Sequence, residues 1–234
     1  GRGCLVLDEI LADCKGASLK KMKFRRKCLA LTLVEILVVL MILSALFGLI
    51  VPALRYARRR ADRHFTKQEI NRLCLAIENF ADEDPFGDWP PANLSGIGIA
   101  SENDLNEPIE SLVLCLSTGR GEGPYFQFDL DRLTNLDEDS VEEELLKEKF
   151  QTPFEGGRLL EYSDLWGNPY IYVPYYAYGK EFKYVDAEGN TFSAVLEKDP
   201  QLGTFPQPLK FVIWSCGPDG KNQNGKGDDI CSWK

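Results

Sequence analysis

The stretch RRKCLALTLVEILVVLMILSALFGLIVPALRYARRR, residues 25–60, decides how this chain is organised. Between Leu31 and Leu54 it contains a single ionisable side chain, that of Glu35. As an α-helix this run would extend about 36 Å, which is enough to cross a bilayer. A charged side chain at the centre of a bilayer costs at least about 2.5–3.5 kcal/mol, so the presence of Glu35 needs a physical reason.

The helical pattern continues beyond the apolar run. Six residues recur at three- and four-residue spacing, which is typical of an amphipathic helix: Ile70, Leu73, Cys74, Ile77, Phe80 and Ala81. The segment ADEDPFGDWPP, residues 81–91, then ends the helix with prolines and a glycine. The sequence therefore predicts one helix of about fifty residues, kinked at Pro52 because proline removes a backbone hydrogen bond.

The second half of the chain predicts a small antiparallel sheet. Three segments have the aromatic, β-branched or alternating character of strands: residues 169–178 (PYIYVPYYAY), 190–197 (NTFSAVLE) and 209–216 (LKFVIWSC). DAEGN, residues 186–190, predicts a hairpin turn between two of these strands, and residues 90–153 are expected to be irregular apart from a short helix near 140–150. A helix followed by strands predicts an α+β fold with the sheet packed on the helix stripe.

Charge is distributed unevenly along the chain. Residues 15–72 hold 14 Lys and Arg against 3 Asp and Glu, a net charge of +11. Residues 81–234 hold 12 against 29, a net charge of −17. A basic collar around an apolar run suits anionic lipid headgroups, whereas the acidic remainder argues against a nucleic-acid partner.

Histidine and cysteine usage excludes two kinds of site. His64 is the only histidine and lies in the basic segment, so a Ser-His-Asp or Cys-His arrangement has no base, and we expect no enzyme. The seven cysteines contain no C-x-x-C pair and hence no zinc pattern. Cys216 and Cys231 bracket a loop and are a candidate disulfide pair, whereas Cys74 and Cys115 are expected to be buried thiols.

The C-terminal segment SCGPDGKNQNGKGDDICSW, residues 215–233, has the composition of a cation-binding loop. Calcium takes six to eight oxygen ligands from carboxylates, amides and carbonyls on a bendable loop. This loop does not match the EF-hand template, and a solvated Asp/Gly turn is the alternative from the residues alone. The side chains that could supply oxygens are Asp219, Asp228, Asp229, Asn222 and Asn224.

The segment CLALTLVEI, residues 28–36, resembles the class III signal of type IV pilins and type II secretion pseudopilins. The resemblance lies in a basic leader, a small residue and an apolar helix with glutamate at its fifth position. It implies that a prepilin peptidase cuts between Ala30 and Leu31 and N-methylates Leu31, although the family more often has Gly and Phe there. The expected leader then starts at Met22, within residues 1–30.

The same resemblance gives a reason for Glu35. In the family's filament, this carboxylate is neutralised by the N-terminal amine of a neighbouring subunit, which makes its burial tolerable. Pro52 also lies where the family's helix carries its proline. Both residues are therefore expected to act in subunit assembly.

Two further segments are similar to those of major pseudopilins. DLWGNPYIYVP, residues 164–174, is similar to their D-P-W-G-x-P-Y segment, with Leu165 in the place of proline. The C-terminal loop is similar to their calcium loop. This implies that Ca²⁺ is bound by Asp219, Asp228 and Asp229, with Asn222 and Asn224 as weaker ligands.

The resemblance implies a pilin-like α+β protein that acts as a structural subunit of a type II secretion pseudopilus. It would be a single-pass protein of the bacterial inner membrane, with its C-terminal domain in the periplasm. Its partners would be copies of itself, prepilin peptidase, the inner-membrane secretion platform and minor pseudopilins. The expected parts are a leader (1–30), a transmembrane half-helix (31–54), a periplasmic half-helix (55–84), a variable region (85–155) and the sheet with its calcium loop (156–234).

Two alternatives remain open at this point. A type IV pilin for adhesion, motility or DNA uptake would share the leader and the helix. A membrane-anchored calcium-binding module that never polymerises would share the apolar run and the C-terminal loop. Only the filament interpretations require Glu35 for assembly.

Overall fold

The computed structural model describes residues 32–100, 102–119, 121–151, 154 and 156–234. The predicted start at Met22 and the predicted cleavage position at Ala30 and Leu31 lie outside the described residues. The chain divides into two compact units, with the boundary between Val51 and Pro52.

Helix α1 spans Leu33–Glu83, 51 residues, and confirms the predicted helix of about fifty residues. It continues through Pro52, where the expected kink stays a prediction. In its second half one face is buried: Thr66, Glu69, Ile70, Leu73, Ala76, Ile77 and Ala81. The predicted stripe is thus largely confirmed, and its remaining members, Cys74 and Phe80, pack half-buried against the same core.

The strands form three small antiparallel sheets in place of the single sheet expected. β1 (Leu133–Thr134) pairs with β2 (Glu161–Tyr162). β6 (Phe211–Ser215) lies between β3 (Ile171–Pro174) and β7 (Ile230–Cys231). β4 (Glu181–Val185) and β5 (Thr191–Val195) form a hairpin.

The β3–β6 pair forms the centre of the core. All residues of both strands are buried, and the register places Ile171 opposite Trp214 and Val173 opposite Val212. Continuous apolar runs of this kind are typical of strands covered on both faces. The predicted strands at 190–197 and 209–216 are confirmed, whereas the one at 169–178 is shorter, because a 3₁₀ turn follows Pro174.

The DAEGN turn is confirmed, but it joins β5 to a strand that the sequence did not suggest. Asp186 Oδ1 accepts hydrogen bonds from the backbone N–H groups of Glu188 (2.9 Å) and Asn190 (2.8 Å), and Gly189 has φ of +81°. This turn chemistry is local and readable from sequence. The preceding strand EFKYV was missed because it contains two exposed charges, at Glu181 and Lys183.

Two further helices lie between α1 and the sheets. α3 (Glu143–Phe150) confirms the short helix expected near 140–150. α2 (Glu107–Ser117) contradicts the irregular structure expected there. Its residues Ile109, Leu112, Val113 and Leu116 recur at the three- and four-residue spacing of a helix, and Pro108 lies in its first turn, so the sequence does contain a signal for this helix.

Glu69 joins α1 to the rest of its unit. Its carboxylate accepts hydrogen bonds from Arg132 Nη2 (2.5 Å), Tyr162 Oη (2.6 Å) and Tyr170 Oη (2.7 Å). The Arg132 guanidinium also lies 4.5 Å above the Tyr162 ring. Burial and the Glu69 carboxylate raise the pKa of Tyr162, so this phenol stays protonated and donates. A buried charge paired and hydrogen-bonded in this way is tolerated, whereas an unpaired one is not.

We expect Glu69→Gln to lower the free energy of unfolding by about 3 kcal/mol, because it leaves the Arg132 guanidinium buried without a carboxylate. Urea unfolding of the full chain in detergent, followed by tryptophan fluorescence, measures this. Tyr170→Phe removes one donor and should cost about 1.5 kcal/mol. Glu69→Gln with wild-type stability would contradict the role of this ion pair.

Candidate functional site

The described chain begins with a capping box at Thr32 and Glu35. The Thr32 hydroxyl accepts a hydrogen bond from the Glu35 N–H (3.2 Å), while Glu35 Oε2 accepts from the Thr32 N–H (3.1 Å) and hydroxyl (3.2 Å). This reciprocal arrangement stabilises the start of α1. The Thr-x-x-Glu pattern of a capping box is present in the sequence, where Glu35 was considered only for its charge.

The first part of α1 presents an apolar surface that no other described residue covers. Residues 33–51 are all exposed. The most apolar 18-residue window of the helix has a mean hydropathy of 2.8 and contains no buried residue. By length and composition α1 is the one described helix able to cross a membrane. Soluble proteins rarely expose a contiguous apolar surface of this extent, so lipid or protein must cover it.

The DLWGNP segment forms a turn that positions the start of the C-terminal loop. Asp164 Oδ1 accepts hydrogen bonds from the N–H groups of Trp166 (2.9 Å) and Asn168 (3.0 Å), and Gly167 has φ of +86°. Asp164 Oδ2 accepts from the Ser215 hydroxyl (2.6 Å), at the end of β6. Burial raises the pKa of Asp164 to about 6. The DLWGNP turn therefore holds the start of the C-terminal loop through the hydrogen bond between Ser215 and Asp164.

The C-terminal loop brings two of its predicted ligands to one donor. Gln223 Nε2 lies 3.3 Å from Asp219 Oδ2 and 3.1 Å from Asp228 Oδ1. Asp229 is buried, and its Oδ2 accepts from the N–H groups of Gln223 (3.1 Å) and Gly225 (2.7 Å). Its Oδ1 is buried without a hydrogen-bond partner. Burial raises the pKa of Asp229 to about 6, and the neighbouring Asp228 and Asp219 carboxylates add to the shift.

The structure does not bring the three loop carboxylates together: among the described residues they do not form an acidic group whose oxygens all lie within 4.8 Å of one another. Asp219 also accepts from the Lys221 N–H (2.9 Å) and Asp228 lies beside Arg63, so the orphaned Asp229 oxygen is the feature of this loop that favours a hard cation. The two weaker ligand candidates use their amide oxygens in hydrogen bonds within the protein. Asn222 Oδ1 accepts from Trp214 Nε1 (3.0 Å), and Asn224 Oδ1 accepts from the Val195 N–H (3.0 Å). These two amides attach the loop to neighbouring strands.

The candidate disulfide is not formed in the structure. Cys216 and Cys231 are both free, buried thiols. Cys231 stands opposite Trp214 in the sheet, and its Sγ donates to the Gly225 carbonyl at 3.4 Å, so its thiol is used within the loop. Cys74 and Cys115 are free as well, and burial raises the pKa of the Cys115 thiol to about 12.

Basic residues of α1 hold the C-terminal segment. Lys67 Nζ donates to the carbonyl oxygens of Cys231 (2.5 Å) and Lys234 (2.7 Å). Arg63 Nη2 donates to the Asp228 carbonyl (3.3 Å) and lies 3.6 Å from its carboxylate. The sequence analysis assigned this basic segment to lipid headgroups alone. The loop is in fact bonded to the helix on one side and to Asp164 on the other.

A second group of carboxylates lies apart from the loop. One oxygen each of Glu110, Asp137 and Glu161 lie within 4.8 Å of one another, the one such acidic triad among the described residues. The sequence analysis missed it, because its members are far apart along the chain and occur among many other acidic residues.

Comparison with known proteins adds no further assignment. No model of a known protein family matches the chain, and no curated protein or solved structure matches it either. The functional interpretation therefore depends on the residues and contacts given above.

We expect Gly225→Ala to destabilise the loop by about 2–3 kcal/mol. A Cβ at this position would lie 2.3 Å from Trp233 Cζ2, and Gly225 has φ of +75°. Gly203→Ala is the matched control, because its φ of +67° gives similar strain with no atom within 4 Å of the new Cβ. Thermal unfolding of both variants separates the steric cost from the backbone cost. Equal midpoints would contradict tight packing of Trp233 on the loop.

Proposed function

We propose that this chain is a structural subunit of a membrane-assembled filament of the pilin class, and within that class of a type II secretion pseudopilus. The observation that carries the proposal is the apolar surface of residues 33–51, which is left uncovered by the part of the chain that the structure describes. The same helix continues, from Thr66 onward, into a unit with its own hydrophobic core. Lipid would cover this surface while the subunit is in the membrane, and the helices of neighbouring subunits would cover it in the filament.

Glu35 would set the register between subunits. Its carboxylate is exposed, and in a filament it would lie against the N-terminal amine of a neighbouring subunit cut between Ala30 and Leu31. A buried carboxylate is tolerable beside an opposite charge and expensive without one, so only one stacking position would be favourable. The capping box would hold the helix start in shape for this contact.

The proposed setting follows from the same features. The chain would cross the bacterial inner membrane once, with residues 55–234 in the periplasm. Prepilin peptidase would process it, and the secretion platform and minor pseudopilins would assemble it with further copies of itself. A type IV pilin would share these steps and differ in its machinery.

Calcium would stabilise the C-terminal loop of each subunit. Asp219, Asp228 and Asp229 would hold the ion, with the Gln223 amide displaced from between the first two. Because Arg63 and Lys67 bond this segment to α1, an ordered loop would stiffen the surface next to the helix.

One observation favours a second candidate, a membrane-anchored module that does not polymerise. The capping box with Thr32 gives Glu35 a role that needs no neighbouring subunit. Glutamine serves in a capping box as glutamate does, whereas only glutamate can pair with an amine. The two candidates therefore differ in their response to a neutral substitution.

We expect Glu35→Gln to abolish filament assembly while the cut between Ala30 and Leu31 is retained. The substitution removes the charge that would pair with a neighbour and preserves the hydrogen bonds of the capping box. Cells co-expressing prepilin peptidase and the assembly platform are sheared, and the filament fraction is quantified. Mass spectrometry of the N-terminus reports processing.

Thr32→Ala is the matched control, because it weakens the capping box by about 1 kcal/mol and leaves the charge in place. The filament proposal expects this variant to assemble. Assembly of Glu35→Gln at the wild-type level would overturn the filament role and favour the anchored module.

We expect calcium to change the tryptophan fluorescence of the full chain in detergent, and Asp228→Asn to remove most of that change. Trp214 bonds to Asn222 and Trp233 packs on Gly225, so both indoles report on the loop. Asp199→Asn, in another exposed loop, is the control. A wild-type spectrum unaffected by calcium, or a response that persists in Asp228→Asn, would leave the loop an ordinary Asp/Gly turn.

A further inference from the structure

A group of four carboxylates lies where α2, β2 and the segment before α3 meet. Glu110 projects from α2, Glu161 belongs to β2, and Asp137 and Asp139 follow β1. One oxygen each of Glu110, Asp137 and Glu161 lie within 4.8 Å of one another. None of the six ion pairs among the described residues includes a member of this group.

The group is buried in the interior of the unit. Glu110 and Glu161 are 0% exposed and Asp139 is 2% exposed, while Asp137 is half-buried. Acidic side chains are almost never buried to this degree without a partner. The question is therefore what compensates them.

Part of the group is held by amide donors. Glu161 Oε1 accepts from Asn106 Nδ2 (2.9 Å), and its Oε2 accepts from the Leu136 N–H (2.9 Å). Asp137 Oδ2 accepts from Asn103 Nδ2 (3.0 Å). These contacts fix the orientation of two carboxylates, as second-layer hydrogen bonds do around metal ligands.

The other two carboxylates, Glu110 and Asp139, lack amide donors of this kind among the described residues. Both side-chain oxygens of Glu110, and both of Asp139, are buried without a hydrogen-bond partner. At 0% exposure Glu110 is out of reach of bulk water, and an oxygen of this unpartnered side chain belongs to the triad. A buried polar atom without a partner costs about 1–3 kcal/mol, and more when it is charged.

Two kinds of positive charge could compensate such a group: protons or a metal ion. Without a metal, burial and repulsion from Asp139, Glu161 and Asp137 raise the pKa of Glu110 to about 11. Burial raises the pKa of Glu161 to about 8, against the opposing effect of the hydrogen bonds from Leu136 and Asn106. The available ligand atoms are all oxygens, which suits calcium better than a metal that prefers nitrogen or sulfur.

We propose that Glu110, Asp137 and Glu161 form a divalent-cation site that takes calcium, with the Asp139 carboxylate beside it. The ion joins α2 to the β1–β2 pair and to the segment before α3, and so orders part of the variable region 85–155. This site is separate from the C-terminal loop and does not depend on the filament proposal.

Calorimetric titration of the full chain with CaCl₂ tests the site. The protein is kept in detergent and freed of metal with a chelator that is then removed. Glu110→Gln keeps the shape of the side chain and mimics its protonated form, and Asp137→Asn alters a half-buried ligand. Glu144→Gln, an exposed carboxylate on α3, is the matched control, and Asp228→Asn removes the loop's contribution.

We expect Glu110→Gln and Asp137→Asn each to weaken one equivalent of calcium binding at least about tenfold. Glu144→Gln and Asp228→Asn should retain that equivalent. If calcium binding is lost in Glu110→Gln and Asp137→Asn but unchanged in Asp228→Asn, the result supports this site even if the C-terminal loop binds no calcium. A wild-type chain that binds no calcium, or binding equal to wild type in Glu110→Gln and Asp137→Asn, overturns the proposal in favour of protons.

Discussion

The burial of Glu69 on the inner face of α1 is the interaction on which the rest of the unit depends. A carboxylate among apolar neighbours would be expensive, but three donors from separate parts of the chain converge on it. Arg132 precedes β1, Tyr162 belongs to β2, and Tyr170 precedes β3. This polar contact inside an apolar stripe therefore ties the helix to the β1–β2 pair and to the start of β3.

The position of the C-terminal loop depends on elements that the Glu69 hydrogen bonds hold together. The turn that delivers Tyr170 to Glu69 also places Asp164, which accepts from Ser215 at the start of the loop. On the other side Lys67, two residues before Glu69, holds the last carbonyls of the chain. The C-terminal loop is thus held by α1 through Arg63 and Lys67.

The acidic residues of this chain fall into two physical classes that look identical in sequence. Most lie on the surface, where water solvates them. Six of those that the structure describes are buried, and each needs a compensating donor or cation: Glu69, Glu110, Asp139, Glu161, Asp164 and Asp229. Glu69 has an arginine and Asp164 has a hydroxyl and two backbone amides, whereas the side-chain oxygens of Glu110 and Asp139 face other carboxylates. This difference separates structural carboxylates from a candidate cation site.

The sequence by itself determined the features that arise from neighbours along the chain. The length of α1, its apolar run, the stripe from Ile70 to Ala81 and the DAEGN turn each follow from local periodicity or turn chemistry. Only the tertiary structure decided that the cysteines of the loop remain thiols and that Glu69 and Glu110 are buried. The partners of a buried carboxylate lie many residues away along the chain. Such properties depend on what the fold brings together, which no local pattern contains.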